Sequence, residues 1–198
     1  LIYIISIFQL ISQNQLPIEN GEMETIEDGF FSQWATQASN GANANFSITA
    51  NNLIAGSTRA LKSEIISLGN NNYDISASSE YNFEVVAGQK YTVSFYAKIE
   101  GASSRQMKVI FRSEINDSFQ GQDIWITDTW QRYTHTFTVD ASGNSNKLKF
   151  WFLQEGVTYF LDEVSVIPGN YVNLTPINAH QTIDGFGAGI KRRTEDLY

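Results

Sequence analysis

The chain has 198 residues, enough to bury one good core with tails on either side. Hydrophobic residues make up 42%, aromatics 13% and charged residues only 17%, the balance of β-rich extracellular domains rather than of helical cytosolic ones. A formal net charge of −8 excludes a sequence-independent attraction to phosphate backbones, so no nucleic acid is expected as a partner, and the absence of cysteine excludes a disulfide framework or a zinc–thiolate site.

Residues 1–15 open with the apolar run Leu1 to Ile11, followed by Ser12-Gln13-Asn14-Gln15. The run has the length of a signal-peptide core and is too short to span a bilayer. It lacks Met and a charged start, so it reads as a truncated signal peptide, the alternative being a buried first strand. The expectation is therefore no membrane span and a secreted, cell-surface or periplasmic location.

Between Pro17 and Pro168 short apolar segments alternate with Gly, Asn, Ser and Asp clusters, the spacing of an all-β sandwich. Strands are predicted over 44–49, 59–67, 81–86, 90–99, 106–113, 133–139, 146–153 and 159–167. In 90–99, Val93 and Phe95 share one face and Tyr96 the other, because successive side chains of a strand point to opposite sides. In 106–113 the same parity buries Met107, Val109 and Phe111 and turns Arg112 outward. In 146–153 it buries Leu148, Phe150 and Phe152 and leaves Trp151 outside with Lys147 and Lys149. A tryptophan on an outer face needs a reason. Trp34 and Trp130 are assigned to the core.

After Pro168 the character changes. Residues 171–175 form another short strand pattern, and Gly185-Phe186-Gly187-Ala188-Gly189 is turn chemistry that needs a larger body to pack against. It lacks the lysine and the strand–helix setting of a phosphate loop. His135 and His180 lie in unrelated segments and suggest no joint site.

The ordered landmarks Asn20-Gly21-Glu22-Met23-Glu24, Trp34, Ala55-Gly56-Ser57, Ala87-Gly88 before Tyr91 to Lys98, Thr129-Trp130 with Tyr133, and Tyr159-Phe160-Leu161-Asp162-Glu163-Val164 resemble the carbohydrate-binding modules of families 4, 9, 16 and 22. Met23 replaces the usual Phe, a change that roughly conserves volume. The resemblance implies a jelly-roll β-sandwich of two antiparallel sheets over residues 16–168 that binds polysaccharide. Sugar rings stack their C–H faces on aromatic rings while their hydroxyls take hydrogen bonds, so such a site is an aromatic platform rimmed by polar groups. By the family's placement, Tyr73, Phe119 and Trp151 are the stacking candidates, and Tyr96, Arg112 and Gln120 are cleft neighbours able to bond hydroxyls. Each has a plainer alternative: Tyr73 as a loop aromatic, Phe119 as a satellite core residue, Trp151 as a contact with a following domain.

Paired carboxylates could also perform glycosidic chemistry. For Glu24 and Asp162 the family instead implies a structural Ca2+ site, with carbonyls near Glu22, Ala55 and Arg59 completing a shell of hard oxygens; the alternative is a pair of hydrated surface acids. A second resemblance lies in residues 172–198, where Gln181-Thr182-Ile183-Asp184-Gly185-Phe186-Gly187 is similar to the entry segment of family 30 glycoside hydrolases. It implies that residues 169–198 are a linker and the start of a covalently attached hydrolase domain, whose two catalytic carboxylates lie far downstream and outside this chain. Three functions stay open: a polysaccharide-binding module targeting plant cell-wall β-glycan such as xylan or β-glucan, a self-contained jelly-roll enzyme, and a structural spacer.

Overall fold

A computed structural model describes residues 18–80, 83–113 and 118–169. The expected signal segment at 1–15 and the expected hydrolase start after Gly169 lie outside these residues. Among the described residues thirteen strands follow one another: β1 (Ile26–Glu27), β2 (Phe30–Phe31), β3 (Trp34–Ala38), β4 (Asn43–Thr49), β5 (Ala60–Ser67), β6 (Ile75–Ser79), β7 (Phe83–Val85), β8 (Lys90–Glu100), β9 (Ser104–Ser113), β10 (Ser118–Thr127), β11 (Gln131–Thr138), β12 (Gly143–Phe152) and β13 (Val157–Pro168). Among the described residues there is no helix long and apolar enough to cross a membrane.

Every pairing is antiparallel. One sheet runs β10-β9-β12-β6-β3, with β7 also paired to β12; the other runs β11-β8-β13-β5-β4; β1 and β2 form a small hairpin. The two sheets stack as the expected jelly-roll sandwich, because each strand carries one apolar face that only another sheet can cover. The inward set is the predicted one: Val93, Phe95, Val109, Phe111, Leu148, Phe150 and Phe152 are all buried. Aromatic rings cross-link the two layers. Phe95 of one sheet meets Phe150 of the other edge-on at 5.0 Å, and Phe150 in turn stacks on Trp34 at 6.2 Å. Such pairs contribute about 0.5–1.5 kcal/mol beyond the area they bury. Met23 is fully buried in the same core.

Trp130 departs from the expectation. It is half-buried rather than in the core, with its Nε1 donating to the Asn52 carbonyl at 2.6 Å and its ring edge-on to Phe160. Phe160 and Lys98 are cross-strand partners, and the Lys98 ammonium lies 4.4 Å from the Phe160 ring centroid and pairs with Glu100 at 2.9 Å. Thr92, Ser94 and Lys98, outward by parity, are nevertheless buried. The middle of the outer face of the five-stranded sheet is thus closed over, while Glu64 and Ile66 of β5 stay exposed.

Near its middle β13 carries a bulge, where pairing with β8 slips between Asp162 and Ser165 and Glu163 adopts a φ of 51°. The N-terminal turn docks there, with Val164 N donating to the Gly21 carbonyl at 2.7 Å. A Cβ on Gly21 would come within 2.0 Å of the Val164 carbonyl oxygen, so only glycine permits this approach.

Candidate functional site

The outer face of the six-stranded sheet is built by cross-strand rows. Register aligns Gln37, Ser76, Trp151, Lys108 and Asp123 in one row across β3, β6, β12, β9 and β10. The next row is Ala35, Ser78, Lys149, Ile110 and Gly121. A third holds Lys147, Arg112 and Phe119. Period-2 alternation puts the side chains of Trp151, Lys149, Lys108, Lys147 and Arg112 outside because their neighbours Phe150, Val109 and Phe111 fill the core. Ile110 and Ser76 are outward by parity yet buried, and Ile110 forms an apolar floor among polar neighbours.

A groove of about 470 Å³ opens on this face, lined by Gln37, Tyr73, Ser76, Ile110, Arg112, Lys149 and Trp151. That volume is in the range of small-molecule sites. Tyr73, on the loop before β6, is 50% exposed, and its ring lies 5.8 Å from that of Trp151 at 59°. Lys108 Nζ sits 5.9 Å from the Trp151 centroid and 3.3 Å from the Asp123 carboxylate. The groove therefore offers two aromatic faces, an aliphatic floor, two cationic side chains and an amide.

Buried Asp74 fixes the Tyr73 loop. Its carboxylate accepts hydrogen bonds from Asn40 Nδ2 (2.6 Å), Asn71 N (2.7 Å) and Ser39 Oγ (3.3 Å). Desolvation pushes its pKa up, but these bonds outweigh that and hold it below the ordinary Asp value. The backbone of Gly69 approaches so closely that a Cβ there would lie 2.4 Å from Asp74 Oδ2. Tyr73 is consequently presented by a braced turn.

The structure brings Tyr73, Arg112 and Trp151 together and places Phe119 directly across from Arg112 in the register. It separates the other two expected neighbours. Tyr96 lies in the five-stranded sheet, beside Arg132, on the opposite outer face of the sandwich. Gln120 is paired with Phe111 and so points between the sheets, donating to the Thr138 carbonyl at 2.5 Å and to Asp140 at 3.0 Å. Residue reading missed Gln37, Ser76, Lys108, Lys149 and, above all, Trp125, which is 60% exposed on β10. The alternation Ile124-Trp125-Ile126 was the available signal, since Ile126 is buried.

A second constellation lies on the five-stranded sheet. The Glu24 carboxylate accepts from Thr58 N (2.7 Å), Ser57 Oγ (3.0 Å), Arg59 N (3.3 Å) and Thr58 Oγ1, while Arg59 Nη1 donates to the Glu24 carbonyl at 2.8 Å. Burial pushes the Glu24 pKa up, but the bonds from Thr58, Ser57 and Arg59 prevail and lower it. Asp162 is fully buried; its Oδ1 accepts from Glu163 N at 2.8 Å, and its Oδ2 has no hydrogen-bond partner. Burial, with the charges of Glu163 and Glu24 nearby, raises its pKa to about 7. Ala55 and Glu22 are exposed. Among the described residues no group of three or more Asp, Glu or His side chains is placed to hold a metal.

The sequence profile of a carbohydrate binding domain family matches residues 20–155. A search of curated proteins returns no match. Among solved structures, a CBM4 module is similar at 21% identity and a TM-score of 0.59, covering 77% of this chain and 100% of that one. The CBM22-1 xylan-binding domain of Paenibacillus barcinonensis Xyn10C is similar at 18% identity and a TM-score of 0.52, with 74% and 92% covered. An arabinose-bound MgGH51 α-L-arabinofuranosidase is similar at 14% identity and a TM-score of 0.64, over 80% of this chain but only 27% of the enzyme.

Proposed function

Because the chain belongs to the carbohydrate binding domain family, we propose that it holds a polysaccharide chain in the groove of the six-stranded sheet and so targets an attached glycoside hydrolase to its substrate. The single observation that carries this reading is the Tyr73–Trp151 ring pair, half-open to solvent and set among Gln37, Ser76, Arg112 and Lys149. Two rings at 59° can each cover a pyranose C–H face, and the surrounding amide, hydroxyl and cationic groups can donate to sugar hydroxyls. The rings supply most of the affinity. Exposed hydrogen bonds to hydroxyls replace water at a net of only about 0.5–1.5 kcal/mol each.

Plant cell-wall β-glycan, xylan or β-glucan, is the ligand class we assign, supported by the xylan-binding neighbour of the same fold. The hydrolase partner rests on the family 30 likeness of Gln181 to Gly187. Such a module works where polysaccharide is met, secreted, on the cell surface or in the periplasm.

We further propose that Ca2+ is a structural ligand of the Glu24–Asp162 constellation. What supports this reading is the orphan Oδ2 of buried Asp162, a hard oxygen for which no hydrogen-bond donor is provided among the described residues. Glu24, Asp162 and the carbonyls of Glu22, Ala55 and Arg59 would hold it. The ion would supply positive charge that ties the loop at 55–59 and the N-terminal turn to β13.

Affinity electrophoresis in gels containing xylan, mixed-linkage β-glucan or galactan tests the binding. Wild type is expected to be retarded by at least one of them. Trp151→Ala should lose about 2 kcal/mol or more of binding, roughly thirtyfold, and run unretarded. Equal retardation of both proteins would move the site elsewhere, and no retardation of wild type would leave a structural spacer.

A further inference from the structure

Of the six large apolar side chains most exposed among the described residues, two are aromatic, Tyr73 and Trp125. Tyr73 lines the groove. Trp125 shares strand parity with Gly121 and Asp123 on β10, and Asp123 reaches across that face to Lys108. Both exposed rings therefore stand on the same outer surface. The inner face of β10 is accounted for separately by buried Ile126 and by Ile124, which packs on the core.

We propose that Trp125 is a second stacking platform, so that one glycan chain runs across the strands from Tyr73 and Trp151, over Lys108 and Asp123, to β10. This rests on the glycan-binding reading of the groove. Trp151 and Trp125 are two strands and two residues apart in register, since Trp151 faces Lys108 while Trp125 faces Gln106. Strand spacings near 4.8 Å and rises near 3.4 Å then put their Cα atoms about 12 Å apart. One pyranose cannot touch both rings, whereas a linked chain can. The Lys108–Asp123 pair at 3.3 Å occupies the interval, offering a donor and an acceptor to the hydroxyls of the intervening sugars. The occupant is thus an extended oligosaccharide, and the role of Trp125 is to reward length. A tryptophan left this open has paid no part in the core, so its removal leaves the fold intact.

The test is titration calorimetry with xylo-, cello- and laminari-oligosaccharides from disaccharide to hexasaccharide, using the full chain and its Trp125→Ala, Trp125→Phe and Trp151→Ala variants, with melting curves to verify folding. Wild-type affinity is expected to climb with chain length. Trp125→Ala should lose about tenfold for the hexasaccharide and nothing for the disaccharide, and Trp125→Phe should recover part of the loss. If Trp125→Ala binds the hexasaccharide as wild type does, or weakens all lengths alike, the proposal is wrong, while a loss in Trp151→Ala keeps the groove itself. If wild type binds no oligosaccharide of any length, the reading of the groove fails and this inference with it.

Discussion

The two outer faces of the sandwich obey the same alternation and end up as opposite kinds of surface. On the five-stranded sheet, Thr92, Ser94, Lys98, Phe160 and Asp162 are outward by parity yet buried, Phe160 and Lys98 beside Trp130, Ser94 under Arg132 and Thr92 against Thr136 and Gly169. On the six-stranded sheet Trp151, Lys149 and Lys108 stay partly open to solvent and Asp123 is exposed, with the Tyr73 ring beside Trp151. At the middle of one face outward polar and aromatic residues are thus sealed in together, whereas on the other the buried Ile110 and Ser76 form a floor beneath aromatics that stay accessible to a ligand.

The largest effect that sharpens this contrast should come from matched truncations. Phe160→Ala removes a ring held by Trp130 and Lys98 and should cost about 3–5 kcal/mol of folding stability. Trp151→Ala, half-exposed on the other face, should shift the denaturant midpoint far less. Equal losses would erase the distinction between the faces.

A second, smaller effect separates the faces by cation. If Ca2+ joins Glu24 and Asp162, calorimetric melting at saturating calcium should exceed that in chelator by about 2–3 kcal/mol at a hundredfold excess over the dissociation constant. Glu24→Ala should abolish the difference without changing oligosaccharide binding. An unchanged transition in wild type with and without chelator would remove the metal.

The smallest effect concerns the brace under Tyr73. A carboxylate whose folded pKa is depressed contributes stability that is present above its unfolded value, near 3.9, and is lost as pH falls through the folded value. Asp74 is such a group. Binding at groove rings should therefore be flat at neutral pH and decline only below about pH 4, and Asp74→Asn should bring a comparable decline to neutral pH. Asp74→Asn binding as tightly as wild type would show that the Tyr73 loop needs no brace.

Parity made the inward residues and the outward position of Trp151 legible, because one face of every strand has to fill the core. It could not say to which sheet an outward residue belongs, since both sheets share the period of two. That is why Tyr96 and Trp151, both correctly outward, lie on opposite faces. β10 escaped recognition because Gln120-Gly121-Gln122-Asp123 reads as a turn; its pairing with β9, not its propensity, makes it a strand. Trp130 escaped because its environment is assembled by Asn52 and Phe160, both distant in sequence. The jelly roll and the docking glycine Gly21 were carried by the family landmarks, which encode such distant contacts in their order, whereas Gly69 beside Asp74 was not among them.

The bulge of β13 also determines how this domain can be carried. The turn at Gly21 docks on Val164, so the described chain enters and leaves through the five-stranded sheet, with Gly169 fastened to Lys90 and Thr92 of β8. Both ends of the described residues are thus anchored on the sheet that does not carry the groove. Tethered cargo then shares the neighbourhood of whatever the groove holds, at an effective concentration on the order of millimolar for a short flexible linker.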